Sequence, residues 1–272
     1  MLAGHNFFFR VSNMPTSSSP KSIFKKSQSD SDSWDNLLTI RFENGKEESF
    51  FIELSRSGSF LFPERDKDDD WTRLDFHKCP CCTLTSETTK HCPAAEALQE
   101  TLMKLREHYS YERVTAKLVD WAGRSTTVDW QLQEVGSIFV QLAVFASDCP
   151  VGQQFKQLLK DLRPFATNEE LSKYLISKLL LKHRGEIEQT KNDILQKMEP
   201  IRMVFSQLSK RLASDTGGDA IANSIVRLDA FALNISLYLE EVLEEVKTDM
   251  GWSFESTSKD HDELPGDESN SE

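Results

Sequence analysis

Four of the five cysteines in this 272-residue chain fall within "FHKCPCCTLTSETTKHCP", which begins at Phe76. Cys79 and Cys82 form a Cys-x-x-Cys pair with Cys81 inside it; Cys92 follows, and Cys149 lies far downstream. Cys-x-x-Cys spacing lets a tight loop present two thiolates to one tetrahedral ion, while the other ligands come from elsewhere in the fold. Cys92 and Cys149 each precede a proline, and each proline opens an expected helix. Proline favours the first helical position, which puts each cysteine at the N-cap. There the helix dipole and free backbone amides favour a thiolate. A four-thiolate site of Cys79, Cys82, Cys92 and Cys149 would pin a loop to two helix starts. His77 and His91 flank the cluster and could replace a cysteine, because zinc accepts mixed sulfur and nitrogen ligands, whereas a cubane iron–sulfur cluster usually takes four thiolates. The residues alone leave three states open: a bound metal, unligated thiols and a redox disulfide.

Composition narrows the setting. With 38% hydrophobic and 28% charged residues the chain reads as globular with polar, disordered ends. The net charge of −12 argues against nonspecific nucleic-acid binding and against an electrostatic hold on anionic membranes. No apolar run approaches the roughly 18–20 residues that span a bilayer. The N-terminal "HNFFFRV" is too short for a signal-peptide core and lacks a basic flank. The expected address is cytoplasmic, with no nucleic-acid or membrane partner. Thiols stay reduced there, so the cluster reads as metal-binding or catalytic before it reads as a disulfide.

The elements that must position these thiols follow from periodicity. Residues 1–35 are serine-rich and aperiodic, read as disordered, and Met14 could serve as the start. Residues 253–272 form an acidic, solvated tail. Between them, 36–252 reads as one α+β domain, with a β-hairpin and cysteine knuckle over 36–92 and a mainly helical body over 93–252. Asn44-Gly45 suits a two-residue hairpin turn, and Val114–Leu118 with Thr126–Trp130 reads as a second hairpin around "DWAGRS". Ala94, Leu98, Leu102, Leu105 and Tyr109 lie on one helical stripe. "VGSIFVQLAVFAS" predicts a buried central helix, Pro150 opens the next, and Asn168 caps a third. A fourth helix runs from about 186 to 213, bent by Pro200. The last runs from about 219 to 247, its seam of Ile221, Ile225, Leu228, Ala232, Ile235, Leu239, Val242 and Val246 suited to an antiparallel neighbour across "SDTGGD", or to a homodimer. Trp71 and Trp121 read as covers on the core edge.

The stretches "WTRLDFHKCPCCTL", "HCPAAEAL", "FASDCP" and "RPFATNEE" resemble an uncharacterised bacterial family of unknown function. Its members carry, in that order, Cys-Pro-x-Cys-Pro-Leu, Cys-Pro-Ala-Ala, Ser-Gly-Cys-Pro and Leu-Pro-Phe-Ala motifs. The resemblance runs from the Asn44-Gly45 hairpin to the final helix. It matches the recurring thiols to Cys79, Cys82, Cys92 and Cys149 and leaves Cys81 on a variable position. Thr83 stands where the family usually has proline, and Asp148 where it has glycine; a carboxylate beside a thiolate ligand raises the cost of crowding negative charge. The resemblance implies no activity.

Three functions compete. The first is a non-catalytic interaction or scaffold protein stabilised by a structural zinc ion, with a protein partner and a monomeric or homodimeric state. The second is an iron–sulfur or thiol-based redox sensor, which needs solvent access to the cluster. The third is a cysteine-dependent enzyme, for which His77, His91 and His108 are the candidate bases. His77 and His91 are equally loop residues, and His108 suits a helix C-terminus. No phosphate-cradling glycine loop, HExxH pair or nucleophile elbow is present.

Overall fold

The computed structural model describes residues 33–55, 69–120, 123–159, 162–213, 218–249 and 251. The serine-rich segment before Ser33, the acidic tail and Trp121 lie outside the described residues.

Strands β1 (Ser33–Phe42) and β2 (Glu47–Ser55) pair antiparallel across the expected turn. Gly45 takes φ +83°, and the Asn44 side chain accepts from the Lys46 amide at 2.9 Å. Period-two burial is plain on both strands: Leu38, Ile40, Phe42, Phe50 and Ile52 are buried, while Phe51 is exposed. The second hairpin also forms, from β3 (Arg113–Val119) and β4 (Ser125–Gln131). The two hairpins join through β1 and β3, with Ile40 opposite Ala116, into one antiparallel sheet of order β2-β1-β3-β4.

Helix α1 (Pro93–Leu105) connects the hairpins and buries Ala94, Leu98, Leu102 and Leu105. Tyr109 belongs to the predicted stripe but lies beyond the helix end, exposed and stacked on Tyr111. Helix α2 (Leu132–Gln141) grows directly from β4, with the Glu134 carboxylate accepting from the Gln131 amide at 2.9 Å. It starts earlier than the apolar run suggests, and at Leu142–Ala146 the pitch widens into a π-turn. Phe139 on α2 meets Phe50 with ring centres 4.5 Å apart, which seats the helix under the sheet.

After the π-turn, Cys149–Gly152 forms a turn ahead of the short α3 (Gln153–Leu159), so Pro150 starts that turn rather than the helix itself. Helix α4 (Asn168–Lys182) is capped by Thr167, one residue before the expected Asn168. Thr167 Oγ1 accepts from the Glu170 amide, and the Glu170 carboxylate accepts from the Thr167 amide. Helix α5 (Ile187–Ala213) continues unbroken through Pro200. The final long helix is two: α6 (Asp219–Leu237) and α7 (Leu239–Asp249) meet at Tyr238, whose backbone (φ −110°, ψ 21°) leaves helical geometry.

The seam residues do pack within the chain. α6 lies along α5, with Arg202 bonded to Asp229 at 3.3 Å, and α7 lies on α4, where Lys173 meets Glu245 and Asp249. Ile235, Leu239 and Val246 stay buried across the break, and Val242 is half-buried. By length and composition α6 is long and apolar enough to cross a membrane, yet here its apolar face covers α5 and α2. The result is a mostly helical α+β fold with one small antiparallel sheet.

Candidate functional site

The knuckle is a loop whose two ends are tied together. Arg73 and His91 form an isolated antiparallel bridge; the Leu74 amide donates to Lys90 O at 2.9 Å, and the Cys92 amide to Thr72 O at 2.7 Å. Thr72 Oγ1 donates to Asp69 O at 2.7 Å, so its 2.8 Å contact with His91 Nδ1 must be donated by the ring. That holds the imidazole proton on Nδ1. Inside the loop, the Cys82 amide donates to Cys79 O at 3.0 Å and closes a turn that turns both thiols of the pair the same way. His77 supports the approach to that turn with a left-handed backbone, φ +48°, its ring edge-on to Phe76.

Cys92 is the N-cap of α1, with Pro93 at the first helical position, as the spacing predicts. The amides of Ala94 and Ala95 favour its thiolate, although the sulfur makes no capping hydrogen bond. Cys149 does the same work one turn ahead of α3: its carbonyl accepts from the Gln153 amide at 2.9 Å, and its sulfur faces the amides of Val151 and Gly152. The turn is held against the preceding helix so closely that a Cβ on Gly152 would fall 1.7 Å from Val144 O. Only glycine fits there.

These elements bring Cys79, Cys82, Cys92 and Cys149 around one cavity of about 20 Å³, walled also by Leu208 and Arg211. That is room for about one water or one small ion. Cys81 is off this wall; its thiol points to Pro200 O at 3.8 Å. His77 and His91 are not among the residues of the wall, and His108 sits in the core edge, stacked on Phe42 at 3.8 Å and bonded to Glu112. As the side chains stand, no group of three or more His, Cys, Asp or Glu among the described residues is arranged to hold a metal ion. The backbone gathers the four thiols around one cavity, and rotation about single Cα–Cβ bonds is the freedom each side chain retains.

Electrostatics pull the thiols in two directions. Burial, with the neighbouring Cys92 and Cys149, pushes Cys79 up to about 12. Burial raises Cys149 to about 11 against the amides of Gly152 and Val151. Burial raises Cys92 too, opposed first by the charge of Arg211 and then by the amides of Ala95 and Ala94. Without an ion these groups are neutral thiols at ordinary pH; a cation is what would hold them as thiolates.

Arg211 is the residue that spacing arguments missed. It is 1% exposed, and its guanidinium donates to the carbonyls of Trp71, Arg73 and Leu74 at 2.8, 2.7 and 3.0 Å. The signal was present: Arg211 falls on the buried stripe of α5 that carries Ile201, Val204, Phe205 and Leu208. A charge on an apolar stripe asks for partners, and here they are the carbonyls at the root of the knuckle.

The chain belongs to a family defined by a domain of unknown function, DUF6901, which matches residues 38–250. No curated protein and no solved structure matches the chain.

Proposed function

We propose that this is a non-catalytic interaction or scaffold protein in which one zinc ion, held by Cys79, Cys82, Cys92 and Cys149, clips the knuckle to the helical body. One observation carries the reading: thiols from three separate stretches of chain share the wall of a single ion-sized cavity. The charge balance supports it. Four thiolates around Zn²⁺ leave two negative charges, and Arg211, the first amides of α1 and the amides of the Cys149–Gly152 turn lie against them. Four thiolates also close the zinc coordination sphere, which fits structure rather than catalysis. A cavity of about 20 Å³ suits a single small ion. A cysteine enzyme needs a histidine against its thiol, and neither His77 nor His91 is among the residues of the cavity wall.

Elemental analysis with an ultraviolet–visible spectrum, on protein purified without air, tests the proposal. One zinc per chain and no visible band is expected, with both metal content and melting temperature lowered in Cys149→Ser. Iron with a broad visible band would replace the zinc clip by a redox cluster. A metal-free protein with all five thiols titratable would remove the metal altogether.

A further inference from the structure

A cavity of about 250 Å³ opens between the π-turn, the sheet and α3, and none of the thiols lines it. Leu118, Ile138, Leu142, Phe145, Leu159 and Phe165 make much of its wall. Leu142 and Phe145 belong to the π-turn itself, and such widened turns are found preferentially where helices build functional sites. Pro164, Phe165 and Ala166, from the "RPFATNEE" stretch that the thiol cluster leaves unused, form one end. Phe165 is buried with φ +57°, a conformation unfavourable for a phenylalanine, and stands edge-on to Trp130 with ring centres 5.7 Å apart. Ile138, Leu142, Phe145 and Leu159 are only half-buried. Apolar surface left open on this wall is surface that an apolar occupant would take from water.

The polar residues described on the wall are Asn36, Gln141, Lys156 and Arg163. Both cations are already engaged: Arg163 pairs with Glu170, and Lys156 has an interaction of its own within the chain. Asn36 Nδ2 donates to Ile52 O at 3.3 Å across the first hairpin. Gln141 differs, because its side-chain amide has no hydrogen-bond partner among the described residues. An ion entering here would leave water without gaining a counter-charge. A neutral molecule with one oxygen would lose little, since the Gln141 amide can both donate and accept.

We propose that this cavity binds a neutral, medium-chain apolar molecule with a single hydroxyl or carbonyl oxygen, its chain against Leu142, Phe145 and Leu159 and its oxygen on the Gln141 amide. At about 30 Å³ per heavy atom, water's share of its liquid, the cavity holds about eight such atoms. An apolar cavity of about 150 Å³ is already enough to stay dry and take up benzene. An apolar slot with a few placed polar groups is the usual form of a small-molecule site. This proposal does not depend on the thiols holding a metal.

The test is calorimetric titration of the full chain with 1-heptanol, ethylbenzene, heptanoate and ethanol. Saturable one-to-one binding of 1-heptanol is expected, with no binding of ethanol, which lacks the chain. Heptanoate should bind roughly tenfold more weakly or worse, because its carboxylate must leave water unpaired. Gln141→Leu should weaken 1-heptanol about fivefold, the order of one neutral hydrogen bond, and leave ethylbenzene, which has no oxygen, unchanged. Ala166→Phe should fill the cavity and abolish binding of both. Should that variant fail to fold, methyl resonances of the wild type locate the ligand. Titration with 1-heptanol should then shift Ile138, Leu142 and Leu159 and leave Leu208, on the thiol cavity, in place. Absence of saturable 1-heptanol binding, heptanoate binding as tightly as 1-heptanol, or 1-heptanol affinity unchanged in Gln141→Leu would each overturn the proposal. So would methyl shifts centred elsewhere, or undiminished binding to folded Ala166→Phe.

Discussion

Arg211 and Cys92 share a wall of the thiol cavity, and after burial the guanidinium charge is the strongest influence on the Cys92 thiol. The same side chain bonds three carbonyls at the root of the knuckle. Arg211→Met removes all three donors and leaves buried acceptors unpaired, so a loss of about 3 kcal/mol or more is expected in denaturant unfolding. Arg211→Lys keeps the charge without the planar fork and should recover less than half of that loss. If Arg211→Met unfolds at the wild-type denaturant midpoint, the guanidinium contributes nothing to holding the knuckle.

The raised thiols set the pH behaviour of the metal-free protein. Cys79 and Cys149 are held as neutral thiols in the fold, up to about 12 and about 11, above the ordinary value of 9.0. A folded-state value above the unfolded one means that the stabilisation is full below pH 9 and is lost as pH climbs towards 11 and 12. Stability should fall by at most about 1.4 kcal/mol per pH unit for each thiol in that window. Zinc acts in the opposite sense. Loading should release about four protons at pH 7 and tighten from pH 6 to 9, which titration in buffers of different ionisation enthalpy measures.

Cys81 and Cys82 are adjacent but face different partners, a carbonyl of α5 and the cavity. Cys81→Ser should leave metal content unchanged and cost at most about 1 kcal/mol. Cys82→Ser should lower both metal content and melting temperature. Equal metal loss in the two variants would contradict the assignment.

The contact between Gly152 and Val144 predicts a remote effect on the site. In Gly152→Ala the new Cβ meets Val144 O, a backbone atom that cannot swing aside. A cost of about 2–3 kcal/mol is expected, together with displacement of Cys149 and weaker zinc retention. Competition with a chelator reads the second effect separately from the melting temperature.

Asp193 gathers two lysines and a histidine at the α4–α5 hairpin: Lys182 at 2.7 Å, His183 at 2.9 Å and Lys197 at 2.6 Å. Burial alone would raise its carboxyl, but Lys182, Lys197 and His183 outweigh it and hold it well below the usual carboxylate range. Its contribution is therefore present above about pH 4 and is lost as pH falls below that. Asp193→Asn should cost about 1 kcal/mol at pH 7, since solvent at the helix ends screens the cluster. The difference from wild type should shrink steadily as pH falls below about 4, as followed by circular dichroism.

Local signals carried most of the secondary structure into view. Asn44-Gly45, the Pro93 helix start and the α6 seam each act over a few residues, and each is found in place. What the sequence could not display was long-range. The pairing of Ile40 with Ala116 depends on α1 returning the chain beside β1, and no periodicity records that. The π-turn arises inside an uninterrupted apolar run, where widening by one residue changes no residue type. The break at Tyr238 comes without glycine or proline, and nothing in the structure explains why it falls there. The Cys79–Cys82 turn and the Cys92 cap were legible because turn spacing and capping are local rules. Arg211 was not, because its partners are carbonyls, and carbonyls have no letter in a sequence.

The Arg73–His91 bridge and the Cys92 amide bond to Thr72 hold the ends of the knuckle together independently of what lies at its tip. Thr85–Lys90 is polar and largely exposed. Loop-closure entropy grows slowly, by about 0.6 kcal/mol per doubling of length. This tip is therefore a natural insertion point: a peptide epitope or a small reporter domain spliced between Glu87 and Thr88 should leave the fold intact and put a handle on the loop between the Cys79–Cys82 turn and Cys92.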